Sequence, residues 1–182
     1  DGLLAACANH LPQPWHAVGQ STGGAIVLKH LLEEKDGASL FEHIALLAPL
    51  LHTRNWGRGR LTYRLLRRFI SRIKRNFTAN SADAAFLEFL KHSDPLQSRH
   101  IPLEWVGSMK RWTEEFHDLP INHKAITIVQ GDRDMTLDWC YNLAQFQQKL
   151  PNADIKIIAS GQHHLVNEID DLRNQAFAAM TL

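Results

Sequence analysis

Residues 15–24 read Trp-His-Ala-Val-Gly-Gln-Ser-Thr-Gly-Gly, and their reading decides the fold. Trp15 to Val18 is a short apolar segment with the character of a buried strand. Gly19 to Gly24 is a tight turn. From Ala25 to Glu34, the residues Ile26, Val27, His30 and Leu31 recur at helical spacing, and Asp36-Gly37 ends the predicted helix. A strand that turns sharply into a helix lifts the hydroxyl of Ser21 above the sheet edge, as a nucleophile requires. The glycines two residues to either side, Gly19 and Gly23, tolerate the crowded and strained backbone of such a turn. The helix then directs its N-terminal N–H groups and positive dipole end toward the serine. The N–H of Thr22 would supply one donor to an oxyanion. The competing reading is a glycine-rich turn in which Ser21 merely caps the helix beginning near Thr22.

Working outward, the alternation of strand and helix repeats. Residues 3–9 read as the end of a helix, broken by Pro12 and Pro14. Phe41 to Leu51 is a second buried-strand segment, closed by Pro49. Ala125 to Val129 is a third, ending in Gln130-Gly131-Asp132, and a helix is predicted over 138–150. Asp154 to Ile158 is a fourth, followed by Ser160-Gly161-Gln162-His163-His164, with a final helix over 168–181. This order implies a parallel sheet with crossover helices.

A nucleophilic serine needs a base, and the base needs an orienting carboxylate. In such sheets, ligands gather at the carboxyl ends of the strands, and the chain order is Ser, then Asp or Glu, then His. Both later strands end in the required residue types. Asp132, Asp134 and Asp138 compete for the acid. Asp132 sits close to its strand and can bend the turn through its own backbone. Asp138 has the place of a helix N-cap, so Asp134 is preferred. His163 and His164 compete for the base, with His163 preferred. The other nine histidines are read as surface residues or local caps.

The chain of 182 residues is 45% hydrophobic and 21% charged, with 20 basic and 19 acidic side chains. That is one domain's length and an ordinary globular composition, which excludes a disordered chain. No apolar run approaches the roughly 18 residues of a membrane span. Cys7 and Cys140 make neither a disulfide framework nor a metal-binding pair, so a reducing, cytoplasmic location is expected. The near-neutral net charge conceals an imbalance. Residues 52–118 hold 13 Lys+Arg against 7 Asp+Glu, a surplus of +6, while the remainder carries −5. This central stretch reads as a helical insertion. Leu66, Phe69, Ile70, Ile73 and Phe77 have amphipathic-helix spacing. Further helices are predicted over 82–92 and 102–117, with breaks at Asp94-Pro95 and Ile101-Pro102.

Three motifs together resemble the α/β-hydrolase superfamily, within it the group of monoacylglycerol lipases, lysophospholipases and serine aminopeptidase-like hydrolases. They are Gly-Gln-Ser-Thr-Gly at 19–23, Gly-Asp-Arg-Asp-Met-Thr-Leu-Asp-Trp at 131–139 and His-His-Leu-Val-Asn-Glu at 163–168. The resemblance implies Ser21 as nucleophile, Asp134 as acid, His163 as base and Thr22 in the oxyanion hole, Gln20 being the second residue of the serine motif. It implies hydrolysis of lipid-like carboxylic esters through an acyl-enzyme, with no metal or organic cofactor. The alternatives are a peptidase or amidase of the same fold, or an inactive fragment or binding module. A serine nucleophile argues against the dehalogenase and epoxide-hydrolase relatives, which use aspartate.

The resemblance further implies a hydrolase core over 1–51 and 119–182, with a helical cap inserted over 52–118. The family opens with strands that precede the nucleophile strand, and one of their loops carries a second oxyanion donor. None of this occurs here, so the chain is expected to be the carboxyl-terminal part of a protein of roughly 300 residues, with a partial fold and an exposed edge strand. Position 160 is Ser where the family has Gly, a change that the neighbouring Gly161 is expected to absorb. The basic segment 58–75 reads as a cap helix with solvated arginines whose apolar face covers the site. Peripheral contact with anionic lipid is the alternative, and nucleic acid is disfavoured for want of a recognised binding fold. Trp105, Trp112 and Phe116 are candidates for an acyl pocket or for core.

Overall fold

The computed structural model describes residues 2–8, 10–34 and 39–180. The predicted helix end at Asp36-Gly37 lies outside them. Helix α1 (Gly2–Ala8) leads to strand β1 (Trp15–Gln20), helix α2 (Thr22–Glu33) and strand β2 (Phe41–Leu47). The insertion follows, with α3 (Trp56–Leu66), β3 (Arg72–Lys74), α4 (Ala84–Glu88), β4 (His100–Pro102) and α5 (Leu103–Asp118). The chain then returns through β5 (Thr127–Gly131), α6 (Trp139–Lys149), β6 (Asp154–Ile158) and α7 (Asp170–Ala179).

Strands β1, β2, β5 and β6 lie side by side in that order, all parallel. A parallel sheet needs cover on both faces, and the alternation along β2 supplies it. Ile44 and Leu46 point into a large core with Leu28, Leu31 and Leu32 of α2, Phe116 of α5, Ile128 of β5 and Phe146 of α6. Ala45 and Leu47 point the other way, into a second core with Val129, Ile158 and Leu172 and Ala176 of α7. The expected architecture of parallel sheet, crossover helices and an inserted helical region is what forms.

The insertion differs from its sequence reading in detail. The helix predicted through Phe77 stops at Leu66. Residues 72–74 instead pair antiparallel with 100–102, setting Ile73 opposite Ile101. Extending the helix would stack Arg64, Arg68 and Arg72 at four-residue spacing, a repulsive arrangement, whereas β-branched Ile73 and Ile101 suit a strand pair. Nor does α3 turn an apolar face inward. Only Trp56 of α3 is buried, while Leu61, Leu65 and Phe69 are 56%, 58% and 82% exposed.

The predicted helix over 82–92 begins at Ala84, capped by the Asp83 side chain, and closes in a π-turn over Phe89–Ser93. Helix α5 roots the insertion in the main core. Trp112 donates its indole N–H to the Leu50 carbonyl at 2.9 Å and meets Phe116 edge-on, so both are core rather than an acyl pocket, and Trp105 is partly exposed. At the near end, buried Asn142 of α6 brackets His52, accepting from its N–H at 2.9 Å and donating to its carbonyl at 3.1 Å. Among the described residues, no helix is long and apolar enough to cross a membrane.

Candidate active site

The last residue of β1 leads straight into the turn that carries Ser21. Its N–H is held by the Leu47 carbonyl at the end of β2, and its carbonyl accepts from Ala25 and Leu50. The backbone sits at φ 52°, ψ −115°, a conformation that L residues rarely adopt and that persists only where neighbours impose it. Gly19 is required there, because a Cβ would lie 2.7 Å from the Gly23 carbonyl oxygen and 2.8 Å from the Gly24 backbone. The second crowded glycine is Gly24, against Gly19 and Pro49, while a Cβ on Gly23 meets open space. The Ser21 hydroxyl makes no cap to α2. Thr22 opens that helix, where the first-turn N–H groups have no intrahelical acceptor and are free for an anionic oxygen.

The Ser21 hydroxyl lies instead 3.0 Å from His163 Nε2, and His163 Nδ1 lies 2.8 Å from Asp134 Oδ2. An ionised carboxylate only accepts, so Nδ1 carries the proton and donates to Asp134, leaving Nε2 to accept from the serine. The Asp134 side chain is fully buried and that of His163 is 5% exposed. Asp134 also accepts from the N–H groups of Thr136 at 2.7 Å and Leu137 at 3.0 Å, and from the Gln130 amide at 3.1 Å. Burial alone would raise its pKa. The hydrogen bond and charge of His163, with the Leu137 and Thr136 N–H groups, outweigh that and hold it below the ordinary carboxylate value.

The competing residues have other work. Asp132 accepts from the Ser160 N–H at 2.7 Å, and Asp138 caps α6 through the Tyr141 N–H. His164 turns toward Gln20, whose amide lies 3.4 Å from its Nδ1, and packs near the Phe86 ring. Ser160 itself takes the left-handed conformation at φ 64°, and Gly161 does not absorb it. Gly161 is instead packed against Ile158 and Leu165. Sequence reading missed Gln130. Its only signal was a polar residue at the buried end of an otherwise apolar strand, where it can serve nothing but the adjoining loop.

Two half-buried histidines near this region are held in the neutral form. Burial pushes His164 down to about 4, aided by the charges of His163 and Arg75 and opposed by Asp134. Burial also pushes His52 down to about 4, where its ring stacks on those of Trp56 and Tyr141, the latter parallel to it at 4.2 Å. An unfolded histidine titrates near 6.5. Between pH 6.5 and 4 the unfolded chain therefore binds protons that the folded chain refuses, and stability falls on acidification. The Asp134 contribution has the same direction, being present above the unfolded carboxylate pKa and lost as pH falls through the depressed folded value. Urea midpoints between pH 7 and 4 check this, and a flat profile would count against neutral burial.

The site's residues thus come from the ends of three strands: Ser21 after β1, Asp134 after β5 and His163 after β6. Among solved structures, the chain is similar to a soluble variant of monoglyceride lipase from Saccharomyces cerevisiae, at 19% identity and a TM-score of 0.75. That match covers 97% of this chain and 63% of the yeast chain. The monoacylglycerol lipase of Paleococcus ferrophilus is similar at 14% identity and a TM-score of 0.78, covering 98% and 71%. Est1E from Butyrivibrio proteoclasticus matches at 16% identity and a TM-score of 0.55, covering 97% and 64%. At such identities the likeness is one of fold. No curated protein matches the sequence. The family model described as serine aminopeptidase, S33 (Hydrolase_4), matches residues 3–170, and by that match the chain belongs to this family of α/β-hydrolases.

Proposed function

We propose that the chain carries the catalytic apparatus of a serine ester hydrolase. The observation that supports this best is the unbroken path from the Ser21 hydroxyl through His163 to the buried Asp134 carboxylate. Ser21 Oγ bonds to the acyl carbon while its proton passes to His163 Nε2, and the Thr22 N–H receives the developing oxyanion. As the ester C–O bond breaks, His163 returns the proton to the leaving alcohol. Water then attacks the acyl-enzyme with His163 again as base, releasing the acid. Asp134 keeps the imidazole in the Nδ1–H form and stabilises the imidazolium. The chemistry calls on no metal or organic cofactor.

The substrate class we infer is a small lipid-like ester of the monoacylglycerol or lysophospholipid type. Two of the similar structures are monoacylglycerol lipases by description. In addition, exposed Leu61, Leu65 and Phe69 stand among Arg58, Arg60, Arg64, Arg67 and Arg68, which suits peripheral contact with an anionic lipid surface. In this reading residues 52–118 are the cap and 1–51 with 119–182 the core. The family's description favours a second reading, peptide or amide cleavage, which parallel panels of esters and aminoacyl anilides separate.

The test is intact mass after exposure to a fluorophosphonate, with peptide mapping of the adduct. One adduct, on Ser21, is expected. An adduct confined to another residue, or none at all, removes the nucleophile assignment.

A further inference from the structure

The base sits in a loop whose backbone is gripped from outside. That loop runs from Gln162 to Glu168, and Glu168 at its far end is fully buried. A buried carboxylate is tolerated only where its oxygens find donors. Glu168 Oε1 accepts from the Gln162 N–H at 2.7 Å, the residue immediately before His163. Glu168 Oε2 accepts from the Ala82 N–H at 2.6 Å and lies 3.4 Å from the Ser81 hydroxyl. The shorter bond of that hydroxyl goes to the Asn167 carbonyl at 2.7 Å. The His164 N–H, immediately after the base, donates to the Asn80 carbonyl at 2.9 Å. Residues 80–82 belong to the insertion between β2 and β5. Both neighbours of His163 in the chain are therefore tied, directly or through one carboxylate, to that insertion.

We propose that Glu168 is a positioning residue for His163. Its two oxygens bracket the Gln162 and Ala82 N–H groups, so that the place of the base follows the place of segment 80–82. The bracket needs an acceptor at both ends. A carboxylate provides two, and a glutamine side chain provides one acceptor and one donor. Glu168→Gln therefore keeps the volume and sets an N–H against an N–H. The inference rests on the proposed role of His163 as base.

In Glu168→Gln we expect kcat to fall about 10- to 100-fold with KM within twofold, since an ångström of misplacement can cost a hundredfold in rate. Ser81→Ala, which loosens the same bracket from the insertion side, should lower kcat by a smaller factor in the same sense. The third readout is the proton resonance of His163 Nδ1–H bonded to Asp134, expected in the parent chain and weakened by exchange in Glu168→Gln. Rates are referred to folded protein, measured by circular dichroism, so that a merely structural role leaves kcat unchanged. The proposal is overturned by unchanged kcat in Ser81→Ala, by a change in KM alone, or by an unmoved Nδ1–H resonance in Glu168→Gln. Failure of the base assignment itself would show in the parent chain, as absent labelling of Ser21, while the resonance would still report on the bracket.

Discussion

Ser21→Ala and His163→Ala are each expected to lower kcat by about a millionfold, and the double variant by no more than either alone. The reason is the geometry of the proton path. With Nε2 3.0 Å from the hydroxyl, the serine is a poor nucleophile without the imidazole, and without the serine no acyl-enzyme forms for the imidazole to act on. Removing one leaves the other idle, so the two losses overlap instead of multiplying. Neither change should move KM much, because uniform binding of the ester does not pass through the proton. Steady-state kinetics on a soluble ester test this. Losses that multiply in the double variant would mean that the two residues serve separate steps. A Ser21→Ala protein retaining activity within tenfold of the parent would place the nucleophile elsewhere.

Gly131→Ala is expected to destabilise the fold by about 3 kcal/mol and, in the protein that does fold, to lower kcat by about a hundredfold. Gly131 ends β5, where the strand turns into the loop of Asp134. A Cβ there would lie 2.2 Å from the Gly161 carbonyl oxygen, 2.4 Å from its carbon and 2.6 Å from the Gln162 carbonyl oxygen. These are backbone atoms of the segment carrying His163, and they cannot rotate aside. That segment is also held by the Arg133 N–H, which donates to the Gly161 carbonyl at 2.9 Å. The two loops would have to separate, and the contact between Asp134 and His163 would separate with them. Urea midpoints and kcat per folded molecule measure the two effects independently. Gly23→Ala is the contrast, since its Cβ meets open space and Ala is the better helix former. Equal destabilisation by both would refute the steric argument.

Where chemistry and periodicity spoke together, the sequence was explicit. A parallel strand buried on both faces must be nearly continuous in apolar residues, and Ile44 to Leu47 is. The turn after β1 could be read because a strained serine needs Gly19 beside it. Where two local structures competed closely, periodicity misled. The spacing of Leu66, Phe69, Ile70 and Ile73 fits a helix, yet the partner that makes Ile73 a strand residue, Ile101, is 28 positions away. Glu168 and Gln130 were invisible as supports for another reason. Their value lies in which N–H or carboxylate waits opposite them, and only the folded chain brings those groups near. The choice of Gly24 over Gly23 as the crowded position likewise depends on Pro49, from another strand's end.

The length of the insertion has a consequence in time more than in stability. Leu46 pairs with Ile128 across an intervening stretch that contains all of α3, α4 and α5. Loop-closure entropy grows only logarithmically, by about 0.6 kcal/mol per doubling of length, so shortening that stretch should alter equilibrium stability little. Contacts so remote in sequence nevertheless form slowly, because the closure must occur before any pairing rewards it. The union of β2 with β5 is therefore expected to be a late event in refolding. Asp134 and His163 reach Ser21 only through that union, so regain of activity after dilution from denaturant should lag behind the return of helical signal.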